Sequence, residues 1–188
     1  MKLAAAVAAT AMLAAGAAAA QSYSLDPDHT YPHWSVNHLG LTTYQGKFTR
    51  SKGKAVLERG KGGAVEVEID PTSSVSGSEV LDKVMKGEMF FQVDKFPAIT
   101  FKSTALRWNG DRLVAVDGLL TMIGQTKPVT LDVKSLRCTT HFRTKKEVCG
   151  VEAFAILRRS DWGIAQKFQP PLLGDEVTLY VQSEGFID

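Results

Sequence analysis

The sequence predicts an all-β fold, an eight-stranded antiparallel barrel with one or two short helices. Three observations lead there. Apolar and polar residues alternate with a period of two from one end of the chain to the other, turn signals separate most of these segments, and several segments run to ten residues or more. Strands that long exceed those of most sandwiches, and closing the sheet removes its edges.

The chain has 188 residues, and its first twenty differ from the rest: Lys2 followed by an apolar run made almost entirely of Ala, with small residues at Ala18 and Ala20. This is the form of a secretory leader cleaved after Ala20, which predicts a periplasmic protein whose single domain spans 21–188. Retention as an anchor is disfavoured, because alanine is weakly apolar and a spanning helix needs roughly 20 strongly apolar residues.

Strands are predicted at Tyr23 to Asp26, Tyr31 to His38, Gln45 to Ser51, Gly53 to Glu58, Val65 to Ile69, Ile99 to Trp108, Arg112 to Met122, Pro128 to Cys138, Val148 to Arg159 and Glu176 to Ile187. In the fifth, Val65, Val67 and Ile69 alternate with Glu66, Glu68 and Asp70, the mark of one buried face. "RGKGG", "NGD" and "IGQTKP" supply turns, so neighbouring strands pair antiparallel. In "ITFKSTALRW" the apolar parity changes between Phe101 and Leu106, which predicts a bulge near Thr104. "SGSEVLDKVMKGEMFF" breaks the alternation: Ser76 or Ser78 can cap a short helix carrying Val80, Leu81, Val84 and Met85.

The formal charge of +2 falls to +1 when Lys2 is removed, which leaves no electrostatic footprint for nucleic acid. Cys138 and Cys149 are the two cysteines, and in an exported chain this spacing predicts a disulfide across a hairpin. His29, His33 and His38 invite a zinc reading. On a continuous strand, however, His38 faces away from the other two, so no metal is expected. Nucleophile elbows, phosphate-binding loops and dinucleotide fingerprints are missing from the sequence, and no catalytic residue is assigned.

The aromatic and aliphatic inventory is the more telling feature. An eight-stranded barrel can hold one small ligand, and apolar walls with few polar groups suit an elongated hydrophobic one. The candidate cavity residues are Trp34, Val36, Phe48, Val84, Phe91, Phe101, Leu120, Met122, Val129, Leu131, Phe154, Ile156 and Trp162. "GVEAFAILRR" sets Ala153 and Ala155 on one face and Phe154 and Ile156 on the other, and an inward alanine face would leave room inside. Arg158, Arg159 and Lys167 are the candidates for an anionic head group.

"HTYPHWSVNHLGLTTYQGKF", "FPAITFKS", "GLLTMIGQTKPVTLDV", "RRSDWGI" and "GDEVTL", followed by Glu184, resemble in order the motifs of the YceI-like family, over Tyr23 to Asp188. His29, Thr30, Val36, His38, Leu39, Gly40, Gly46 and Phe48 fall in the first motif, and Pro97, Ile99, Thr100, Phe101 and Ser103 in the second. Gly118, Leu120, Thr121, Gly124, Thr126, Lys127, Pro128 and Val129 fall in the third; Pro32 departs from the family pattern, which has an aliphatic residue there. The resemblance implies a lipocalin-like barrel, a periplasmic location and a polyisoprenoid or similar long-chain lipid in the cavity, such as a polyprenyl phosphate, a quinone tail or an acyl chain. Transient membrane contact and a homodimer are further expectations. Two alternatives stay open: an interaction or stress-protective protein with a barrel filled by its own side chains, and a metal-dependent enzyme using His29 or His38.

Overall fold

The structure, a computed structural model, describes residues 19–188, so the leader call, Ala19 and Ala20 apart, lies outside the described residues. Eleven strands build a single sheet: β1 Gln21–Leu25, β2 Tyr31–His38, β3 Thr42–Phe48, β4 Ser51–Glu58, β5 Gly62–Ile69, β6 Ser74–Val75, β7 Ile99–Asn109, β8 Arg112–Met122, β9 Gln125–Thr140, β10 Glu147–Arg158 and β11 Leu173–Ile187. Pairing runs β1-β4-β5-β7-β8-β9-β10-β11 and returns to β1, a closed eight-stranded antiparallel barrel. β2, β3 and β6 extend this ring at one end, called the upper end below, where β2 pairs with β11 and β3 with β6.

Two Asp-Pro pairs divide the lower strands from their upper continuations. After β1, Asp26 accepts a hydrogen bond from the Asp28 amide (3.0 Å), and after β5, Asp70 accepts one from the Thr72 amide (2.8 Å). Each proline opens a single 3-10 turn, where its missing N–H costs nothing. Above the second turn, β6 is two residues long and pairs with β3 alone, so the wall is open between β6 and β7. The helix α1, Glu79–Lys86, follows that gap. Its Ser78 cap accepts from the Leu81 amide, acidic Glu79 and Asp82 stand in its first turn, and Gly87 ends it.

The strand β7 carries the bulge that its parity change demands: register shifts between Ser103 and Ala105, so Thr104 is the extra residue. Ile99, Phe101 and Leu106 are all buried as a result. β9 begins at Gln125, earlier than the turn signal suggested, because Ile123 and Gly124 make the β8–β9 turn in left-handed conformations. Pro128 then lies within β9, on the stretch that pairs only with β8, where a missing N–H leaves no ladder bond unmade.

The lower end is filled. Tyr23, Leu57, Leu106, Leu113 and Val116 are buried in one cluster. The Tyr23 hydroxyl donates to Glu147 (2.6 Å), and burial, reinforced by that carboxylate, pushes the phenol pKa up to about 12. Cys138 and Cys149 face each other in the β9–β10 register and are disulfide-bonded.

At the upper end, the segment between β10 and β11 is organised by Arg159, a buried cation. Its Nε donates to the Gly174 carbonyl (2.8 Å), one terminal nitrogen to Ile164 (2.8 Å) and Ala165 (2.9 Å), and the other to Phe168 and Leu173. A guanidinium has five N–H donors and every one is used. Burial lowers its pKa from the ordinary guanidinium value, with the charge of Asp175 opposing the shift.

Removing the disulfide as Cys138→Ser with Cys149→Ser should lower the unfolding free energy by about 3 kcal/mol, measured by denaturant titration. Arg159→Leu should cost at least about 3 kcal/mol, because several buried carbonyls lose their donors. It should also speed amide exchange across residues 160–173. Arg159→Lys, with three donors, should restore only part of both.

Candidate functional site

Above the filled half, the barrel encloses a cavity of about 260 Å³, just under the roughly 300–1,000 Å³ typical of small-molecule pockets. Its walls come from every side of the upper end: Trp34, Val36 and His38 on β2, Tyr44 and Phe48 on β3, Ile69 and Ile99 across the barrel, Leu120 and Met122 on β8, and Leu157, Val177 and Leu179 on β10 and β11. Leu81, Val84 and Met85 of α1, with Phe90 and Phe91, close the gap beside β6. Trp162, Ile164, Phe168 and Leu172 contribute from the Arg159-bound segment. The Ala165 amide donates to the Met89 carbonyl (2.7 Å) and so joins those two covering segments over the cavity.

A single layer of side chains divides cavity from core. On β7, Ile99 lines the cavity and Phe101 does not; on β8, Leu120 and Met122 do and Gly118 does not. Gly118 explains the boundary: a methyl group there would lie 2.4 Å from the Phe101 ring, so the ring lies over the glycine and blocks the lumen. Val129 stands opposite Gly118 and Leu131 opposite Val116, within the same packed layer.

Trp34, Val36, Phe48, Val84, Phe91, Leu120, Met122 and Trp162 thus line the cavity. Phe101, Val129 and Leu131 correct the expectation: they form the packed floor. Phe154 and Ile156 correct it outright, since both are exposed on the outer face of β10 while Ala153, Ala155 and Leu157 point inward. The period of two had placed these two sets on opposite faces, and the register with β9 and β11 decides which face is inside. The alanines are why the lumen keeps room beside β10.

The head-group candidates change as well. Arg158 is exposed at the end of β10, opposite Glu176, and Lys167 is exposed and outside the lining. Arg159 does reach the cavity wall, but its donors are all held by backbone carbonyls and none is left for a ligand. Sequence reading missed His38, Tyr44, Ile69, Leu157, Ile164 and Leu172 as wall residues. The alternation in "EVTLYV" pointed to Val177 and Leu179, and helical spacing to Leu81 and Met85; after Arg159 the sequence marked Trp162 but not Ile164 or Leu172.

The mouth is apolar. Val84, Tyr44 and Leu172 both line the cavity and reach solvent, while Leu41 and Val80, at 79% and 76% exposure, project beyond. The Leu39 amide donates to the Leu172 carbonyl (3.1 Å), which places the β2–β3 tip beside this rim. His38 stacks on Tyr44, ring centres 4.5 Å apart. His29 bonds Asp26 (2.8 Å), which raises its pKa, and His33 bonds Gln182 (3.0 Å), so the three histidines lie at separate places. Among the described residues, the three metal-type ligands that do converge are Cys138, Glu147 and Cys149, and both of these sulfurs are in the disulfide. Two buried polar atoms of wall residues stay unpaired among the described residues: Nε1 of Trp34 and Nε1 of Trp162. Each such donor costs about 1–3 kcal/mol.

The pattern of the YceI-like domain matches residues 23–184. A UPF0312 protein of Pseudomonas putida (strain GB-1) is 33% identical over 163 residues, 82% of each chain. Another, from Yersinia pseudotuberculosis serotype O:1b, is 33% identical over 178 residues, 93% of this chain and 91% of that one. Among solved structures, BcnA of Burkholderia cenocepacia superposes with a TM-score of 0.73 at 18% identity, over 85% of this chain and 98% of its own. A polyisoprenoid binding domain from Saccharophagus degradans, implicated in plant cell wall breakdown, gives 0.68 at 15% identity, over 89% and 99%. With this coverage in sequence, and a barrel of matching architecture, the chain belongs to the YceI-like family.

Proposed function

We propose that this protein binds a polyisoprenoid or a similar long-chain lipid in the upper cavity, after export to the periplasm, and carries or stores it there. The observation that carries the reading is the cavity itself, a continuous apolar lumen opening at an apolar rim above a lower end filled by buried side chains. A molecule with one long hydrocarbon tail matches that shape. Supporting it, a structural neighbour from Saccharophagus degradans is described as a polyisoprenoid binding domain. The upper half departs from the filled-barrel alternative, because about 260 Å³ there is not occupied by side chains.

Affinity in such a site comes from the chain. Each methylene moved out of water contributes about 0.8 kcal/mol. The exposed Leu41, Val80 and Leu172 give the mouth an apolar surface to set against a membrane while the lipid passes, which avoids exposing the tail to water.

Protein purified from a bacterial periplasm without detergent should release a stoichiometric isoprenoid, quinone or acyl lipid into organic solvent, identified by mass spectrometry; an extract that stays empty after incubation with such lipids would remove the reading. For a series of isoprenoid alcohols, affinity should rise about fourfold per buried methylene. The rise should stop once the tail reaches the mouth. Val177→Trp, which fills the lumen, should cut lipid loading about tenfold or more while far-ultraviolet circular dichroism stays unchanged.

A further inference from the structure

The outer face of the barrel carries a second depression, an open groove of about 440 Å³ that shares no lining residue with the lipid cavity. It covers two cross-strand rows on β9, β10 and β11. One row is Arg137, Gly150 and Glu184, and the next is Ser135, Glu152 and Gln182. The β9–β10 register shifts between Glu152 and Ala153, which makes Lys134 the extra residue of a bulge at the border of the groove. Bulges re-aim side chains and recur beside functional sites.

Gly150 stands in the middle of its row, and the fold gives no reason for a glycine there. At Gly46, Gly53 and Gly118 a methyl group would lie within 2.5 Å of a neighbouring atom, so those strands need the missing side chain. Gly150 differs. Its φ is not left-handed, and a methyl group would meet nothing nearer than Cγ of Glu184 at 3.8 Å, an ordinary contact. A glycine inside a strand gives up stability, and one that packing does not require marks a place where a ligand approaches the backbone closely.

The charges around it are mixed, and most are already engaged. Glu152 accepts from the Tyr180 hydroxyl (2.8 Å) and lies 3.9 Å from Lys134 Nζ. His29 bonds Asp26 (2.8 Å), Gln182 bonds His33 (3.0 Å) and Ser183 bonds Thr30 (3.0 Å). Arg137 and Glu184 remain. Neither takes part in an ion pair among the described residues, and they flank Gly150 on either side. Their Cα atoms are two strand spacings apart, about 10 Å.

A simple anion in this groove would meet Glu152 and Glu184, and a simple cation would meet Lys134 and Arg137. A ligand that carries both signs answers each. We propose that the groove binds a small zwitterion of the α-amino acid type, its carboxylate on the Arg137 guanidinium, its ammonium on the Glu184 carboxylate and its middle over Gly150. A guanidinium takes a carboxylate through two parallel N–H donors, which fixes the direction of the ligand. The site is independent of lipid binding.

The test titrates the purified protein with L-alanine and, separately, with acetate and with methylammonium, followed by 1H–15N spectra. L-alanine should shift the amide signals of Gly150 and Val151 with a Kd in the millimolar range, because its ion pairs are exposed to water. Each single-charge probe should bind about fivefold more weakly or worse, the worth of one such pair. Arg137→Gln and Glu184→Gln should each weaken L-alanine to a similar degree, and Gly150→Leu, which occupies the groove, should abolish the shifts while far-ultraviolet circular dichroism stays unchanged. The charge substitutions lie on exposed side chains and test the site even if Gly150→Leu fails to fold. No shift with L-alanine at about 100 mM, acetate or methylammonium binding as well as L-alanine, or L-alanine binding unchanged by both charge substitutions, would overturn the assignment.

Discussion

The barrel depends on β1, a five-residue strand that holds two long edges together. It pairs with β4 through Gln21 to Ser24 and with β11 through Tyr23 to Leu25. Without it, β4 and β11 would each present unpaired N–H and C=O groups, a surface open to edge-to-edge association. The polar cluster around Tyr23 and the filled lower core gather behind this closure. Closure is complete only below the two Asp-Pro turns. Above them β6 has no partner on its far side, so covering the interior falls to α1, Phe90, Phe91 and the segment that follows Arg159.

These covering segments are not held by a sheet ladder, and their backbone groups need other partners. Arg159 supplies five donors to five carbonyls, so a residue that resembles a head-group anchor acts as a structural hub. Burying that charge is costly, and the carbonyl dipoles around it take the place of water, helped by the charge of Asp175. The indoles of Trp34 and Trp162 are the opposite case, donors that the fold buries and does not use.

Much of this was legible in the residues. The parity change in "ITFKSTALRW" located the bulge at Thr104, because an inserted residue is the only way to keep Phe101 and Leu106 on one face. Ser78 and Gly87 bounded the helix, since capping is local chemistry. The cysteine pair marked adjacent strands, and the structure joins them. Eight of the proposed lining residues line the cavity, and Phe154 and Ile156 lie outside it. Alternation says which residues share a face but not which face turns inward when both carry apolar side chains.

The sequence by itself determined the strands, their turns, the helix, the disulfide and the family, because each depends on near neighbours in the chain or on motifs several residues long. Tertiary structure alone decided how far the lumen extends, since its floor is Phe101 lying over Gly118, a contact made across the β7–β8 pair. It also decided that Arg159 has no free donor. Whether a polar group is spare depends on what surrounds it in three dimensions, and those partners come from segments distant in the chain.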